Sequence, residues 1–208
     1  MSYRVIVATL EARTAVHIGS GDGNDLTDAL LRRDAGGRPF VPGTAIAGAL
    51  RALLTRLAPR LGAEPCAALT GSGDPCDCPV CRLFGDINPS DEGDSVSAAS
   101  RVLVFHAYPS RDLPRLLVRD GVGIGRSSRA AARAGGVKFD LEVIPAGAEF
   151  ALRIELRDVD EEGERLLAAG LSEWLEGRMW LGGRVARGLG ALKLKDLKYG
   201  VREVGTPE

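Results

Sequence analysis

The period of the hydrophobic residues changes several times along this chain, and the order of those changes limits the folds that it can adopt. Residues 3–16 alternate at period two, and the apolar face of this segment consists of Ile6, Ala8, Leu10 and Ala12. This pattern predicts a β-strand with one buried face. Residues 44–57 repeat instead at helical spacing. We expect that helix to begin near Thr44, as its N-cap, and to end by Pro59 or Gly62.

Strand character returns in the middle of the chain. Residues 101–108 are expected to form one strand. Residues 138–144 and 149–156 then alternate on either side of Pro145, Ala146 and Gly147, which is a turn composition. This arrangement predicts a β-hairpin between the two segments. Its facing apolar residues would be Phe139, Leu141 and Val143 on one strand, and Phe150, Leu152 and Ile154 on the other.

The last elements complete a recognisable order. A second helix is expected over residues 161–175, with an apolar face of Leu167, Leu171, Trp174 and Leu175, and a last strand over residues 191–199. The order is strand, helix, strand, strand, helix, strand. It predicts an α+β fold of the ferredoxin-like or RNA-recognition type, an antiparallel sheet with two helices on one face. We expect a single domain over residues 1–208. Its excursions lie at about residues 19–41, 62–95 and 109–137.

Charge is segregated along the chain, although the net charge is only −1. Residues 111–138 contain seven basic and two acidic residues, a net +5, and residues 155–165 contain six acidic and two basic residues, a net −4. This balance argues against a generic basic nucleic-acid coat, but it allows one basic face suited to a polyanion. The alternative is that these charges only solvate the surface.

Nothing near the N-terminus has the composition of a secretory signal, because Arg4 and Glu11 interrupt the early apolar stretch. No run approaches the roughly 18 apolar residues that a membrane span needs. We therefore expect a cytoplasmic protein without a membrane partner.

All four cysteines fall within one short segment, at Cys66, Cys76, Cys78 and Cys81. The spacing C-x9-C-x-C-x2-C allows four soft thiolates to surround one tetrahedral zinc ion, with Zn–S bonds of about 2.3 Å. Disulfides and redox-labile thiols are the alternatives, and a cytoplasmic location argues against disulfides. A closed four-thiolate shell leaves no position for water, so we expect this zinc to be structural.

Two glycine-rich segments, residues 19–23 and 182–190, are candidates for close approach to phosphates. The second also contains the cations Arg184 and Arg187. Neither segment matches a P-loop or a Rossmann fingerprint, and either can simply be a tight turn.

Asp28 and the two histidines are the remaining candidates for chemistry. Asp28 opens an apolar stretch that ends at Arg32, and a carboxylate beside cations can hold a divalent ion or orient a nucleophile at a phosphodiester. A solvated loop residue is the alternative. Of the two histidines, His106 lies in an apolar stretch and is expected to pack in a strand, whereas His17 borders the first glycine-rich loop and can touch a ligand.

Six motifs in a fixed order resemble the RAMP superfamily of CRISPR proteins, and in particular the repeated backbone subunit of type III effector complexes. They are His17-Ile18-Gly19-x-Gly21, Asp28 before an apolar pair and Arg32, Pro39 to Arg51, Cys78 to Gly85, Gly136 to Phe150, and Gly182 to Gly190. The resemblance covers nearly the whole chain. It implies an RNA-recognition-like palm, an insertion that holds zinc and a hairpin-like thumb insertion.

The resemblance also implies a function. Copies of such a subunit stack along a guide RNA, beside other effector subunits in the prokaryotic cytoplasm, and a loop aspartate supports cleavage of the paired target RNA. Asp28 matches that aspartate, which would act with Mg²⁺ or another divalent cation. The implied RNA contacts are His17, Ser20, Arg32, Thr44, Arg51, Arg126, Arg129, Gly183, Arg184 and Arg187. Ala45 and Ala47 depart from the family pattern, which has a serine and a lysine in this motif.

Two other functions compete with this one. The chain can be a scaffold that binds guide RNA without cutting, in which case Asp28 is only a loop residue. It can also be a free-standing ribonuclease that processes precursor guide RNA through His17 without metal.

Overall fold

The structure is a computed structural model that describes residues 2–66, 76–88, 96–113, 115–131 and 138–203. The strands are β1 (Ser2–Ala12), β2 (Asp86–Asn88), β3 (Val96–Ala98), β4 (Val102–Val104), β5 (Tyr108–Pro109), β6 (Leu117–Val122), β7 (Lys138–Val143), β8 (Glu149–Arg157), β9 (Met179–Trp180) and β10 (Ala191–Glu203). The helices are α1 (Gly43–Leu57), α2 (Pro79–Phe84) and α3 (Glu161–Leu175). Arg133, Gly136 and parts of the excursions expected at 62–95 and 109–137 lie outside the described residues.

A central antiparallel sheet has the strand order β4-β8-β1-β10-β9, and β5 also pairs with β8. Strand β1 lies in the interior of this sheet, where Ile6 is opposite Ile154 of β8 on one side and Tyr199 of β10 on the other. Its alternation places Ile6, Ala8, Leu10 and Ala12 in the core, as the sequence predicts. The prediction of one buried face for this strand is confirmed.

Helices α1 and α3 pack in the same core as the buried face of β1. The core includes Ile46, Leu50 and Leu54 from α1, and Leu167, Leu171 and Trp174 from α3. The two helices approach closely at Gly170, where a Cβ atom would lie 2.4 Å from Cδ2 of Leu54. A side chain at position 170 would therefore separate the helices.

The hairpin predicted between residues 138–144 and 149–156 is wrong. Both strands form, but β7 pairs with β6 and β8 pairs with β1. The residues between them are bound to β1 and the chain that follows it: Gly147 donates its N–H to the Ala12 carbonyl at 2.8 Å, and Val16 and Ile144 form an antiparallel bridge. Because these contacts use the backbone groups of the turn, β7 and β8 diverge and their apolar faces enter different clusters.

Three smaller expectations also need correction. The single strand expected over residues 101–108 is divided into β4 and β5, because the backbone N–H and C=O of Ala107 both pair with Val41 at 2.9 Å. The apolar face assigned to α3 includes Leu175, which is 37% exposed. The first helix begins at Gly43 after Pro42, so Thr44 lies inside its first turn and is not the N-cap.

Helix α3 begins at the residue that the sequence indicates, because the Asp160 side chain accepts the N–H of Gly163 at 2.7 Å and caps the helix. Three glutamates of the acidic segment lie in its first turn, where the helix dipole favours negative charge. Arg82 pairs with Asp160 at 3.3 Å and also with Glu162. The helix cap, the helix dipole and the ion pairs with Arg82 thus explain much of the negative charge in this segment. None of the described helices is long and apolar enough to cross a membrane.

Candidate functional site

The loop between β1 and α1 folds back on itself and carries Asp28 on its return strand. Gly19 and Leu31 form an antiparallel bridge, and Ser20 donates its N–H to the Leu30 carbonyl at 3.0 Å. At the tip, the Asn24 side-chain oxygen accepts the N–H of Thr27 at 2.8 Å. These local bonds give the loop a defined shape without a core of its own.

Asp28 is exposed and is bound to strand β7. Its Oδ2 accepts the backbone N–H of Asp140 at 2.9 Å, and its own N–H donates to Oδ1 of Asp140 at 3.0 Å. The next residue, Ala29, forms a parallel bridge with Leu141. The segment of the loop that contains Asp28 and Ala29 therefore runs beside β7.

Arg32 and Ser20 make contacts within the same loop. Arg32 donates from Nη2 to the Ser20 carbonyl at 3.3 Å, and the Ser20 hydroxyl accepts the N–H of Asp22 at 3.1 Å. Both residues therefore stabilise the loop, and their contact with RNA stays a prediction. Arg33 pairs with Glu142 of β7, whose Oε2 also accepts the N–H of Leu31 at 3.1 Å.

His17 lies beneath the loop and is only 7% exposed. Its Nδ1 is 2.7 Å from the Glu142 carbonyl, so Nδ1 is the donor and the ring proton is assigned to it. Its backbone carbonyl accepts the N–H of Gly183 at 2.8 Å. His17 thus connects β7 with the glycine-rich loop at residues 182–190, and its burial gives it a packing role rather than an open catalytic position.

The glycine-rich loop presents Arg184 and Arg187 over the same aromatic ring. Their guanidinium carbons lie 4.5 Å and 5.1 Å from the centroid of Phe139 on β7. Gly182 is required here, because its φ is +95° and a Cβ atom would lie 2.4 Å from the His17 carbonyl oxygen. Both arginines remain exposed, and their stacking on Phe139 restricts the space that they sample.

A small second core supports these loops. Leu141 and Val143 of β7 pack with Leu189 of the glycine-rich loop, and Ala29 and Phe139 lie against them. One strand therefore joins the two segments that the sequence identifies separately: Asp28 contacts Asp140, and the two arginines contact Phe139.

Sequence reasoning assigned Phe139 only to the apolar face of a hairpin and missed Asp140 and Glu142, because it treated β7 as one strand of that hairpin. The alternation of this strand contains no signal for these contacts, because acidic residues such as Asp140 and Glu142 are also typical of the solvent face of a hairpin strand.

The remaining predicted RNA contacts lie on other parts of the described chain. Arg126 and Arg129 are exposed in the turn that follows β6, where Arg129 donates its N–H to the Gly125 carbonyl at 2.8 Å with a φ of +53°. Thr44 is exposed in the first turn of α1. The start of α1 is held by His106, which accepts the N–H of Gly43 on Nδ1 at 3.0 Å. The expectation that His106 packs in a strand is wrong, because it lies exposed between β4 and β5. There it takes the place of the expected N-cap side chain.

Cys66, Cys76, Cys78 and Cys81 lie together, with all four sulfur atoms within 4.8 Å of one another. None of the four forms a disulfide, and Cys81 is only 1% exposed. The Sγ atoms of Cys66 and Cys81 are 3.5 Å apart, close to the roughly 3.8 Å between thiolates around a tetrahedral zinc with 2.3 Å bonds. The donor set and its spacing fit a zinc ion.

Burial and hydrogen bonding shift the pKa values of these thiols in different directions. Burial raises the pKa of Cys78, but backbone N–H donors of Cys66 and Cys81 outweigh it and lower that pKa to about 7. Burial raises the pKa of Cys66 to about 11, and it raises the pKa of Cys81 as well. Four adjacent thiolates repel one another, so a divalent cation is the partner that lets all four ionise.

Arg51 also belongs to the surroundings of the cysteines. It donates from Nη2 to Sγ of Cys81 at 3.2 Å and from Nη1 to the Gly85 carbonyl at 3.1 Å. The resemblance assigns this residue to RNA, and the structure directs its guanidinium to the cysteine group. The spacing of residues 51 and 81 in the sequence contains no signal for this contact.

Comparison with known proteins identifies relatives over most of the chain. The family model of the RAMP superfamily matches residues 9–193. The chain is 28% identical over 213 aligned residues to a protein of Methanocaldococcus jannaschii named CRISPR system Cms endoribonuclease Csm3, covering 93% of this chain and 79% of that protein. A protein of Methanothermobacter thermautotrophicus with the same name is 26% identical over 231 residues, with 96% and 86% covered.

Proposed function

This chain belongs to the RAMP superfamily, and from that membership we propose that it is a backbone subunit of a type III CRISPR ribonucleoprotein, which binds guide RNA and cleaves complementary target RNA. Both relatives are named CRISPR endoribonucleases. One structural observation carries the proposal. Strand β7 holds the exposed carboxylate of Asp28 at residue 140 and two exposed arginines at residue 139.

The two halves of this arrangement suit an RNA backbone. Arg184 and Arg187 can neutralise phosphate charge and read backbone shape without reading sequence. Cleavage of RNA by its own 2′-hydroxyl forms an O2′–P bond and breaks the adjacent P–O5′ bond, while the hydroxyl proton passes to solvent and the departing O5′ takes up a proton from solvent. In our proposal the Asp28 carboxylate orients the 2′-hydroxyl or holds a divalent ion at the phosphate.

Mg²⁺ fits this site as a cation shared with the substrate. A carboxylate is a suitable ligand, and Asp28 retains Oδ1 while Oδ2 accepts the Asp140 N–H. The only group of three or more close metal-ligating side chains in the described ranges is the cysteine group. The ion would take its other ligands from RNA phosphates and water, as Mg²⁺ commonly does, and would stabilise charge on the phosphate.

The cysteine group has a separate function in this proposal. Four thiolates would bind Zn²⁺ in a closed shell, with no ligand position open to substrate. This zinc would connect Cys66 to the segment that contains Cys76, Cys78 and Cys81, and it would take no part in cleavage.

We place residues 1–208 in one domain, with a sheet of the ferredoxin-like or RNA-recognition type. The order β10-β1-β8-β4, with α1 directly after β1 and α3 directly after β8, supports this plan. The excursions at about 19–41, 62–95 and 109–137 carry the Asp28 loop, the zinc site and a thumb that includes β6. The partners of this chain would be guide RNA, target RNA, further copies of itself and other effector subunits, in the cytoplasm of a prokaryotic cell.

Substitution of Asp28 tests the cleavage step. In the assembled complex with Mg²⁺, Asp28→Asn should lower the rate of target cleavage by at least about 100-fold, the typical contribution of a positioned acid–base group. Binding of guide and target RNA should be unchanged, because the phosphate-binding arginines are intact. The measurement is single-turnover cleavage of labelled complementary RNA.

Asp25→Asn is the matched control, since it removes one exposed carboxylate from the same loop. It should cut at the wild-type rate, and chelation of Mg²⁺ should stop both proteins. Normal cutting by Asp28→Asn would show that Asp28 does not catalyse cleavage, and a wild-type complex that binds target RNA but does not cut it with Mg²⁺ would support the non-cleaving scaffold function. Metal-independent cutting by the isolated subunit that is lost in His17→Ala would support the free-standing ribonuclease.

A further inference from the structure

Asp28 and Asp140 form a closed pair of hydrogen bonds across 112 residues of sequence. In one bond the Asp140 side chain accepts the backbone N–H of Asp28 at 3.0 Å. In the other, the Asp28 side chain accepts the backbone N–H of Asp140 at 2.9 Å. Each residue thus fixes the backbone of the other, and the pair attaches the loop to a strand.

The pair matters because loops are mobile, whereas catalytic groups need defined positions. A displacement of about 1 Å at a reacting group can cost about 100-fold in rate. The bonds at the tip of this loop are local and do not fix its position on the sheet. Asp140, Ala29 and Glu142 supply contacts between the Asp28 loop and β7, and among the described residues the contact that acts on Asp28 itself is the one with Asp140.

The pair also orients the carboxylate. The Asp140 N–H occupies Oδ2 of Asp28, and in the described part of the chain Oδ1 has no hydrogen-bond partner. The oxygen that faces substrate in the proposed function is therefore selected by the backbone of β7. Strand pairing with β6 stabilises that backbone, since Asp140 lies directly opposite Asp120 in the ladder.

We propose that Asp140 is the positioning residue of Asp28: its side chain anchors the Asp28 backbone, and its backbone N–H orients the Asp28 carboxylate. This inference rests on the proposed function, in which Asp28 is the catalytic residue. Asp140 acts through its acceptor oxygen and not through its charge. Asparagine retains such an oxygen, whereas alanine does not.

Cleavage by two variants at this position separates the acceptor from the charge. In the assembled complex with guide RNA, complementary RNA and Mg²⁺, Asp140→Ala should lower the cleavage rate by about 10- to 100-fold without a change in RNA affinity. Asp140→Asn should remain within about threefold of the wild type, because its side-chain oxygen replaces the lost acceptor. Asp120→Asn is the matched control on the facing strand and should cut normally.

A second measurement does not depend on cleavage. Amide hydrogen exchange in the full-length chain, followed by NMR, should show exchange at the Asp28 N–H at least about tenfold faster in Asp140→Ala than in the wild type. Protection should persist in Asp140→Asn. The variant Asp28→Asn should lose cleavage and retain this protection, because asparagine can accept the Asp140 N–H.

The outcomes distinguish this inference from the proposed function. If Asp140→Ala keeps both its cleavage rate and its amide protection, the positioning role is overturned. If Asp140→Asn cuts as poorly as Asp140→Ala while the amide stays protected, charge is the required property and the inference is equally overturned. If Asp28→Asn cuts normally, the proposed function fails, and the exchange experiment still decides whether Asp140 holds the loop.

Discussion

Arg51 has a partner that its position in the sequence does not indicate. It lies in α1, at the end of a motif that resembles an RNA-binding segment, yet its guanidinium donates to Sγ of Cys81 and to the Gly85 carbonyl. Zinc with four thiolates has a net charge of −2, and a cation that donates to one sulfur offsets part of that charge. Groups around a metal site that orient or neutralise its ligands commonly affect metal affinity.

Arg51→Met should therefore lower the zinc affinity of the chain by about 10- to 100-fold, the usual cost of removing such a group. Methionine retains most of the aliphatic stem, so the packing of this side chain changes little. The affinity can be measured by competition with a chromophoric chelator. Arg56→Met, an exposed arginine on the same helix, is the control and should bind zinc normally. A variant at position 51 that keeps its zinc affinity but loses RNA binding would support the RNA contact instead.

Strand β7 is the element on which the candidate site depends. Phe139 faces the small second core and carries Arg184 and Arg187, while Asp140 holds the Asp28 loop. Gly121 of β6 leaves space for the aromatic ring, since a Cβ atom there would lie 2.2 Å from Phe139 Cζ. β7 pairs with β6 through one edge and meets the Asp28 loop through the other, where Leu141 bridges Ala29.

Replacement of Phe139 by leucine should weaken the binding of single-stranded RNA. Leucine keeps the apolar contact with the second core but removes two cation–π contacts, each worth about 0.5–1 kcal/mol at an exposed site. With both arginines less restrained, we expect the RNA affinity to fall by up to about tenfold, the equivalent of roughly 1.4 kcal/mol. Filter binding of the purified chain at fixed salt measures this change.

Phe105→Leu is the control for this variant, because Phe105 is 43% exposed and also carries an arginine, Arg153, at 5.5 Å. Its RNA affinity should match the wild type. An equal loss in both variants would show that aromatic residues contribute generally, and the specific role of Phe139 would then be wrong.

Across the whole molecule, the cysteine segment is attached to both main helices. Arg51 of α1 contacts Cys81, and Arg82 of α2 pairs with Asp160 at the start of α3. Leu83 packs so closely on α3 that a Cβ atom at Gly163 would lie 2.9 Å from its Cδ2. Loss of the metal should therefore destabilise the core as well as the segment that binds the metal.

Removal of zinc should lower the melting temperature of the chain by at least about 10 °C. A chain of about 200 residues loses about 2–4 °C per kcal/mol, and a structural zinc site contributes at least several kcal/mol. Calorimetry with and without a zinc chelator measures the shift. Cys81→Ser should melt at the lower temperature and should no longer respond to the chelator. Elemental analysis that finds no metal in protein purified without chelator would contradict the zinc site.

Much of this protein is predictable from the sequence because the relevant signals are local. The buried face of β1, the extents of α1 and α3, and the grouping of the four cysteines follow from residue spacing over a few turns or a few residues. The cap of α3 at Asp160 belongs to the same class. Periodicity and short-range spacing determine these features, since each depends on neighbours along the chain.

The partners of those elements were decided only by tertiary structure. Whether β7 pairs with β6 or β8 depends on the backbone bonds that residues 144–148 make with Ala12 of β1 and with Val16 beyond it, which alternation does not encode. The contacts of Asp28 with Asp140 and of Arg51 with Cys81 span 112 and 30 residues. A strand has two edges and a side chain has many possible partners, and the packing of distant segments selects among them. The sequence therefore identified Asp28 and the cysteines as candidates, and only the fold determined what holds each of them in place.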